Sequence, residues 1–198
     1  MKWSWKIARI AGIDIYIHAT FFLLIYLVGI SYWNQQGTLG AVISGIGFIL
    51  ALFACVVLHE LGHSLTARRY GIQTRNITLL PIGGVASLEK IPDDPRQEIN
   101  VALAGPAVNF FIAFVLYIYL NLRNVPISAE EISVTDGTDL YRLMMMNIFL
   151  GGFNLLPAFP MDGGRVLRAV LALRMDHALA TRKAASVGQS IALGLGLL

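Results

Sequence analysis

Residues 41–58 read AVISGIGFILALFACVVL, eighteen residues without a charge, and run straight into His59-Glu60-Leu61-Gly62-His63. An apolar run of this length is close to what a helix needs to cross a bilayer. On a helix, an H-E-x-x-H spacing sets two imidazoles one turn apart on one face. They can grip one divalent metal, with a carboxylate beside them as general base. A charged side chain deep in a membrane costs about 2.5–3.5 kcal/mol on insertion scales. Ionisable residues grouped at the end of such a span therefore mark a functional site.

The rest of the composition agrees with a membrane setting. The 198 residues are 56% hydrophobic and only 14% charged, where a soluble domain would be nearer a quarter charged. The chain reads as an α-helical polytopic membrane protein. Its single cysteine, Cys55, excludes an internal disulfide and lies within a span. The start, Met1-Lys2-Trp3-Ser4-Trp5-Lys6, offers no small-residue cleavage site, so no removable signal peptide is expected.

The net charge of +3 is sorted along the chain. Lys2, Lys6 and Arg9 precede the first expected span. Arg68, Arg69, Arg75, Lys90 and Arg96 follow the second. Arg165, Arg168, Arg174, Arg182 and Lys183 follow the fourth. Of the 15 Lys and Arg, only Arg123 and Arg142 fall on the other side. This positive-inside bias predicts a multi-pass protein of the cytoplasmic membrane with its N-terminus in the cytoplasm. It also accounts for the basic balance without a nucleic-acid partner.

Hydropathy predicts one domain, 1–198, with five visible spans at about 15–33, 39–70, 96–120, 140–158 and 184–198. Trp3, Trp5 and Trp33 suit the interfacial belts. Residues 72–92 are not a span: β-branched residues flank Pro81-Ile82-Gly83-Gly84, which predicts a short β-hairpin or re-entrant segment. Irregular backbone at membrane depth is tolerated only against protein or a wet cavity, so this segment should lie beside His59 and His63. Asp94-Pro95-Arg96-Gln97 reads as a capped helix start, and Gly105-Pro106 as an interruption of the third span. Residues 121–139 form an acidic loop with Glu130, Glu131, Asp136 and Asp139. The fourth span breaks up through Gly151-Gly152, Pro157 and Pro160. The last apolar helix begins at Ala184, and the chain stops inside it at Leu198 with no polar flank, as a core cut short would.

Two His ligands leave a catalytic zinc one protein ligand short. The best third ligand is Asp162, in Asn154-Leu155-Leu156-Pro157-Ala158-Phe159-Pro160-Met161-Asp162-Gly163-Gly164. It lies at the cytoplasmic end of the fourth span, as His59 and His63 lie towards that end of the second. The prolines break the helix so that Asp162 can turn inward, and the glycines permit close approach of backbones.

HELGH at 59–63, GPAVN at 105–109 and NLLPAFPMDGG at 154–164 resemble, in order and spacing, the motifs of the site-2 protease family, prokaryotic type. The likeness extends over most of the chain. It implies a zinc intramembrane metalloprotease with one Zn²⁺ per chain. His59, His63 and Asp162 would hold the metal, Glu60 would be the catalytic base, and Asn154 would lie near the substrate or oxyanion. Gly83, Gly84 and Asn109 are further candidates for such contacts. The resemblance implies six spans in a full core. The expected substrate is a single-span membrane protein, cut in the bilayer near the cytoplasmic face, with release of a cytoplasmic regulatory domain. A regulatory domain, such as paired CBS modules, or a separate regulator would lie outside this chain.

Plainer roles compete with some of these. Asp162 could cap the helix after it. Asn109, three residues after Pro106, could satisfy backbone freed by a kink. Asn154 could pair within a helix bundle. Gly83-Gly84 is first of all a turn. His18 reads as an interfacial or hydrogen-bonded histidine and His177 as solvated. Met144, Met145 and Met146 read as packing, since consecutive residues face different sides of a helix. Other functions also compete. A transporter would need a second His or acidic cluster towards the outside. A non-catalytic helix-binding protein would not need Glu60. The prenyl-protein proteases usually take a later Glu as third ligand, which the surroundings of Asp162 argue against.

Overall fold

The computed structural model describes residues 3–90, 92–124 and 139–196. Its longest element, helix α2 (Leu39–Arg69), has 31 residues and is roughly 46 Å long at 1.5 Å per residue. Thr38 caps it by accepting from the Ala41 N–H at 3.3 Å. Arg68 and Arg69 fall in its last turn, where positive charge suits the helix dipole. Helix α3 (Pro95–Leu122) starts as its sequence predicts: Asp94 accepts from the Arg96 N–H at 2.8 Å, and Pro95 occupies the first turn. Among the described residues, α2 and α3 are the two helices long and apolar enough to cross a membrane.

The other expected spans are shorter or more polar. Helix α1 (Ala19–Gln36) ends in Asn34-Gln35-Gln36. Helix α4 (Asp139–Asn154) has 16 residues, and α6 (His177–Gly196) carries Arg182 and Lys183. Between these two lies the short amphipathic α5 (Asp162–Ala172). Helix α6 begins ahead of the expected Ala184 because Asp176 accepts from the Ala178 N–H at 3.0 Å and starts a turn there. The Gly105-Pro106 pair does not interrupt α3, which runs through it. Most of the acidic loop expected at 121–139, namely 125–138, lies outside the described residues.

Four strands accompany the helices. Strands β1 (Ser4–Ile10) and β2 (Ile13–His18) form a hairpin through Ala11 and Gly12, both at positive φ, 51° and 85°. A two-residue loop with this twist matches that of paired strands. The first span was expected from about residue 15; instead, residues 15–18 belong to β2 and α1 starts at Ala19. Strands β3 (Thr74–Leu80) and β4 (Gly83–Leu88) are the hairpin expected within 72–92. The sheet order is β1-β2-β3-β4, with β2 and β3 parallel and the other pairs antiparallel. A parallel pair needs a long crossover, which α1 and α2 provide.

One face of the sheet carries Ile13, Ile15, Ile77 and Leu79, which pack with Phe21, Phe53, Val57 and Leu61. Val57 and Leu61 bracket His59 on α2, so this core fixes the sheet beside the H-E-x-x-H turn. On its other side α2 meets α3 at small residues. A Cβ on Gly62 would lie 2.8 Å from the Ala104 carbonyl oxygen. Close backbone approach through small residues is the usual way helices associate in a membrane.

Candidate metal centre

His59 and His63 are one turn apart on α2 and are only 6% and 3% exposed. The break after α4 returns the chain to them, and Asp162, the first residue of α5, is 8% exposed. The two Nε2 atoms are 3.1 Å apart. Asp162 Oδ2 is 3.2 Å from His59 Nε2 and 3.0 Å from His63 Nε2. Asp162 does not act as a side-chain cap: the cap position is Met161, and no side chain bonds there.

The opposite ring edges decide what these three atoms are. His63 Nδ1 lies 2.7 Å from the Val101 carbonyl oxygen, which can only accept, so Nδ1 carries the proton. His59 Nδ1 lies 2.6 Å from Asn109 Oδ1 and donates to it by the same reasoning. Both Nε2 atoms of the neutral rings therefore present bare lone pairs to a carboxylate oxygen. Three such atoms about 3 Å apart repel one another unless a cation lies among them. Zinc bonds of about 2.0–2.1 Å in tetrahedral geometry place ligands about 3.3 Å apart. The residues fit a zinc ion with three protein ligands and one open position.

The surroundings leave little freedom. A Cβ at Gly105 would lie 2.7 Å from His59 Nε2 and would run into the His63 ring. Gly163 and Gly164 play a similar part for α5: a Cβ at 163 would strike the Leu155 carbonyl, and one at 164 would lie 2.7 Å from the Ala158 carbonyl carbon. Arg168 of α5 donates through Nε and Nη2 to Glu98 of α3, which is fully buried. Arg165 Nη1 reaches Asp162 Oδ1 at 3.5 Å.

Asn109 is tied at both ends, because its Nδ2 donates to Asn147 Oδ1 at 3.3 Å. Asn147 Nδ2 donates in turn to the Leu143 carbonyl at 2.8 Å. Sequence reading missed Asn147, although an amide amid Met144, Met145, Met146, Ile148 and Phe149 is a visible oddity in an apolar helix. It also missed Arg165 and the Glu98–Arg168 pair.

Glu60 opens with the two histidines onto a cavity of about 620 Å³. Strand β4 forms one wall and α4, with Phe149, Phe153 and Asn154, the other. A Cβ on Gly84 would meet Glu60 Cγ at 2.8 Å, so glycine lets the strand lie directly on the carboxylate side chain. Gly83, at φ 138°, starts that strand and also lines the cavity. Asn154 Nδ2 donates to the Leu150 carbonyl at 3.0 Å while the residue faces the cavity. His18 is hydrogen-bonded, as one of its expected roles had it: it caps α1, with Nδ1 accepting from the Thr20 N–H at 3.3 Å. His177 is exposed at the start of α6. Met144 packs with Ala113, Leu120 and Tyr141.

Comparison with known proteins points the same way. The model of Peptidase family M50 matches residues 47–136 and 129–198. A zinc metalloprotease of Methanocaldococcus jannaschii is 43% identical over 98% of this chain and 53% of the relative. A putative zinc metalloprotease of Synechocystis is 37% identical over 84% of this chain and 44% of the relative. A solved site-2 protease from Methanocaldococcus jannaschii superposes with a TM-score of 0.67 at 41% identity, covering 96% of this chain and 82% of that chain. The chain spans about half the length of the curated relatives it matches.

Proposed function

The chain belongs to peptidase family M50, the site-2 type of zinc metalloprotease, and from that premise we propose that it cuts a membrane-spanning substrate within the bilayer. The observation that carries this reading is the buried triangle of His59 Nε2, His63 Nε2 and Asp162 Oδ2, with Glu60 beside it on the same cavity. A zinc ion held there supplies Lewis acidity and a water acidic enough to ionise near neutral pH.

The remaining chemistry falls to the chain's own residues. Glu60 takes the proton of the attacking water and returns it to the leaving amine. Asn154 keeps one amide N–H after donating to Leu150, and it offers this to the oxygen that gains charge. The amides of a substrate helix are hydrogen-bonded within the helix, so the scissile segment must first unwind. Strand β4 is the edge of the sheet and lines the cavity through Gly83 and Gly84. A free edge can accept an extended segment as an added strand. Such a segment would lie close to Glu60, given how nearly Gly84 touches it.

The membrane setting follows from surface chemistry. Phe22, Leu23, Tyr26 and Leu27 of α1, Phe111 and Phe114 of α3, and Phe149 of α4 are all exposed. Apolar surface on this scale suits lipid rather than water. It supports the reading of α1, α4 and α6 as spans beside α2 and α3, five in all. The distribution of Lys and Arg supports a cytoplasmic-membrane protein with its N-terminus inside. Cleavage near the cytoplasmic face of a single-span protein would free a cytoplasmic regulatory domain.

The test is a cut-site map. The full chain, reconstituted in liposomes with zinc, is given labelled single-span proteins, and the products are sequenced by mass. Cleavage within the apolar segment, abolished by a chelator, is the expected result. Cleavage confined to water-exposed segments would contradict the reading.

A further inference from the structure

The metal centre depends on a residue of α4 that touches neither the metal ligands nor the cavity. Asn147 is fully buried, and its amide has a fixed direction. The Leu143 carbonyl can only accept, so the group 2.8 Å from it must be the Asn147 NH₂. That leaves Asn147 Oδ1 facing Asn109, so Asn109 must present its NH₂ there, at 3.3 Å. Asn109 Oδ1 is then turned towards His59 Nδ1, at 2.6 Å, and only a protonated Nδ1 satisfies it. The proton on Nδ1 leaves the Nε2 lone pair free on the metal side.

We infer that Asn147 is a positioning residue for the metal: through Asn109 it fixes the tautomer and ring plane of His59. Asn109 is 1% exposed and could otherwise sit with its amide reversed. Its NH₂ would then oppose the Nδ1–H, and His59 would be driven to the tautomer that cannot ligate through Nε2. Partners behind a ligating histidine commonly set metal affinity by about 10–100-fold when removed. Here the orientation is set one residue further back, on a third helix. The inference rests on the metal site and not on proteolysis, so it is read by metal binding without substrate.

The experiment is a double-mutant cycle on the full chain in detergent, with Zn²⁺ affinity and the absorption of bound Co²⁺ as readouts. Asn147→Leu should weaken Zn²⁺ by about 10–100-fold and alter the Co²⁺ spectrum. In an Asn109→Asp background residue 109 offers His59 only oxygens, so its direction no longer matters. There Asn147→Leu should change affinity by less than about threefold. Wild-type affinity in Asn147→Leu, or an equal loss in both backgrounds, would overturn the inference. Asn147→Ala, which adds no bulk, completes the same cycle if the leucine variant does not fold. Metal bound as described but no cleavage of any substrate would count against the peptidase reading alone.

Discussion

Gly105 of α3 lies against His63 of α2 so closely that a single added methyl would run into the imidazole. Two helices thus meet through a hydrogen atom at the point where His59, His63 and Asp162 converge. Gly105→Ala should therefore push the rings off their common point while leaving most of the fold intact. The expected outcome is a fall in zinc affinity of about 100-fold, at the upper end of what disturbed ligand support costs. Unchanged helical circular dichroism, together with metal titration, checks it.

Gly84 offers a way to disturb Glu60 apart from the candidate metal centre. A Cβ there would lie 2.8 Å from Glu60 Cγ and 3.1 Å from Val56 Cγ1, and its three nearest atoms include none of His59, His63 or Asp162. Gly84→Ala should displace Glu60 and lower kcat by roughly 100-fold, the scale of about a 1 Å misplacement. Zinc content should stay at the wild-type level. Steady-state cleavage rates beside metal analysis of the same preparation provide the check.

Glu98 and Arg168 join α3 to α5, the helix that begins with Asp162. Glu98 is fully buried and its Oε2 has no hydrogen-bond partner, while the Arg168 side chain is 13% exposed. Removing one member strands the other charge, which costs about 3–5 kcal/mol. Arg168→Met should lower stability by that order, whereas Glu98→Leu combined with Arg168→Met should regain most of it. Thermal unfolding of the two variants in detergent distinguishes these outcomes, and an equal loss in both would contradict them.

Much of this was legible in the sequence, and the reasons are local. An uninterrupted apolar run ending in two histidines four apart needs no tertiary knowledge to read as α2. Pro81-Ile82-Gly83-Gly84 marks the β3–β4 turn by backbone chemistry alone. Asp162 stood out as an acid following two helix-breaking prolines. The β1–β2 hairpin was hidden because Ile13, Ile15 and Ile17 alternate with Asp14, Tyr16 and His18 directly before an apolar helix. Alternation over so short a stretch blends into the run that follows. Glu98 and Arg168 carry no local signal, because the pair forms across 70 residues of chain. Asn147 was visible as an oddity, but only the direction of its amide in three dimensions gives it meaning.

The most direct test measures zinc content and cleavage together, on wild type and Glu60→Gln, with labelled single-span substrates. Glu60 lines the cavity but is not one of the three residues, His59, His63 and Asp162, whose ligand atoms could hold a metal ion. The intramembrane-peptidase reading requires one zinc per chain in both proteins and cleavage by the wild type alone. Wild type that binds no zinc, or Glu60→Gln that cleaves as fast as wild type, would contradict it.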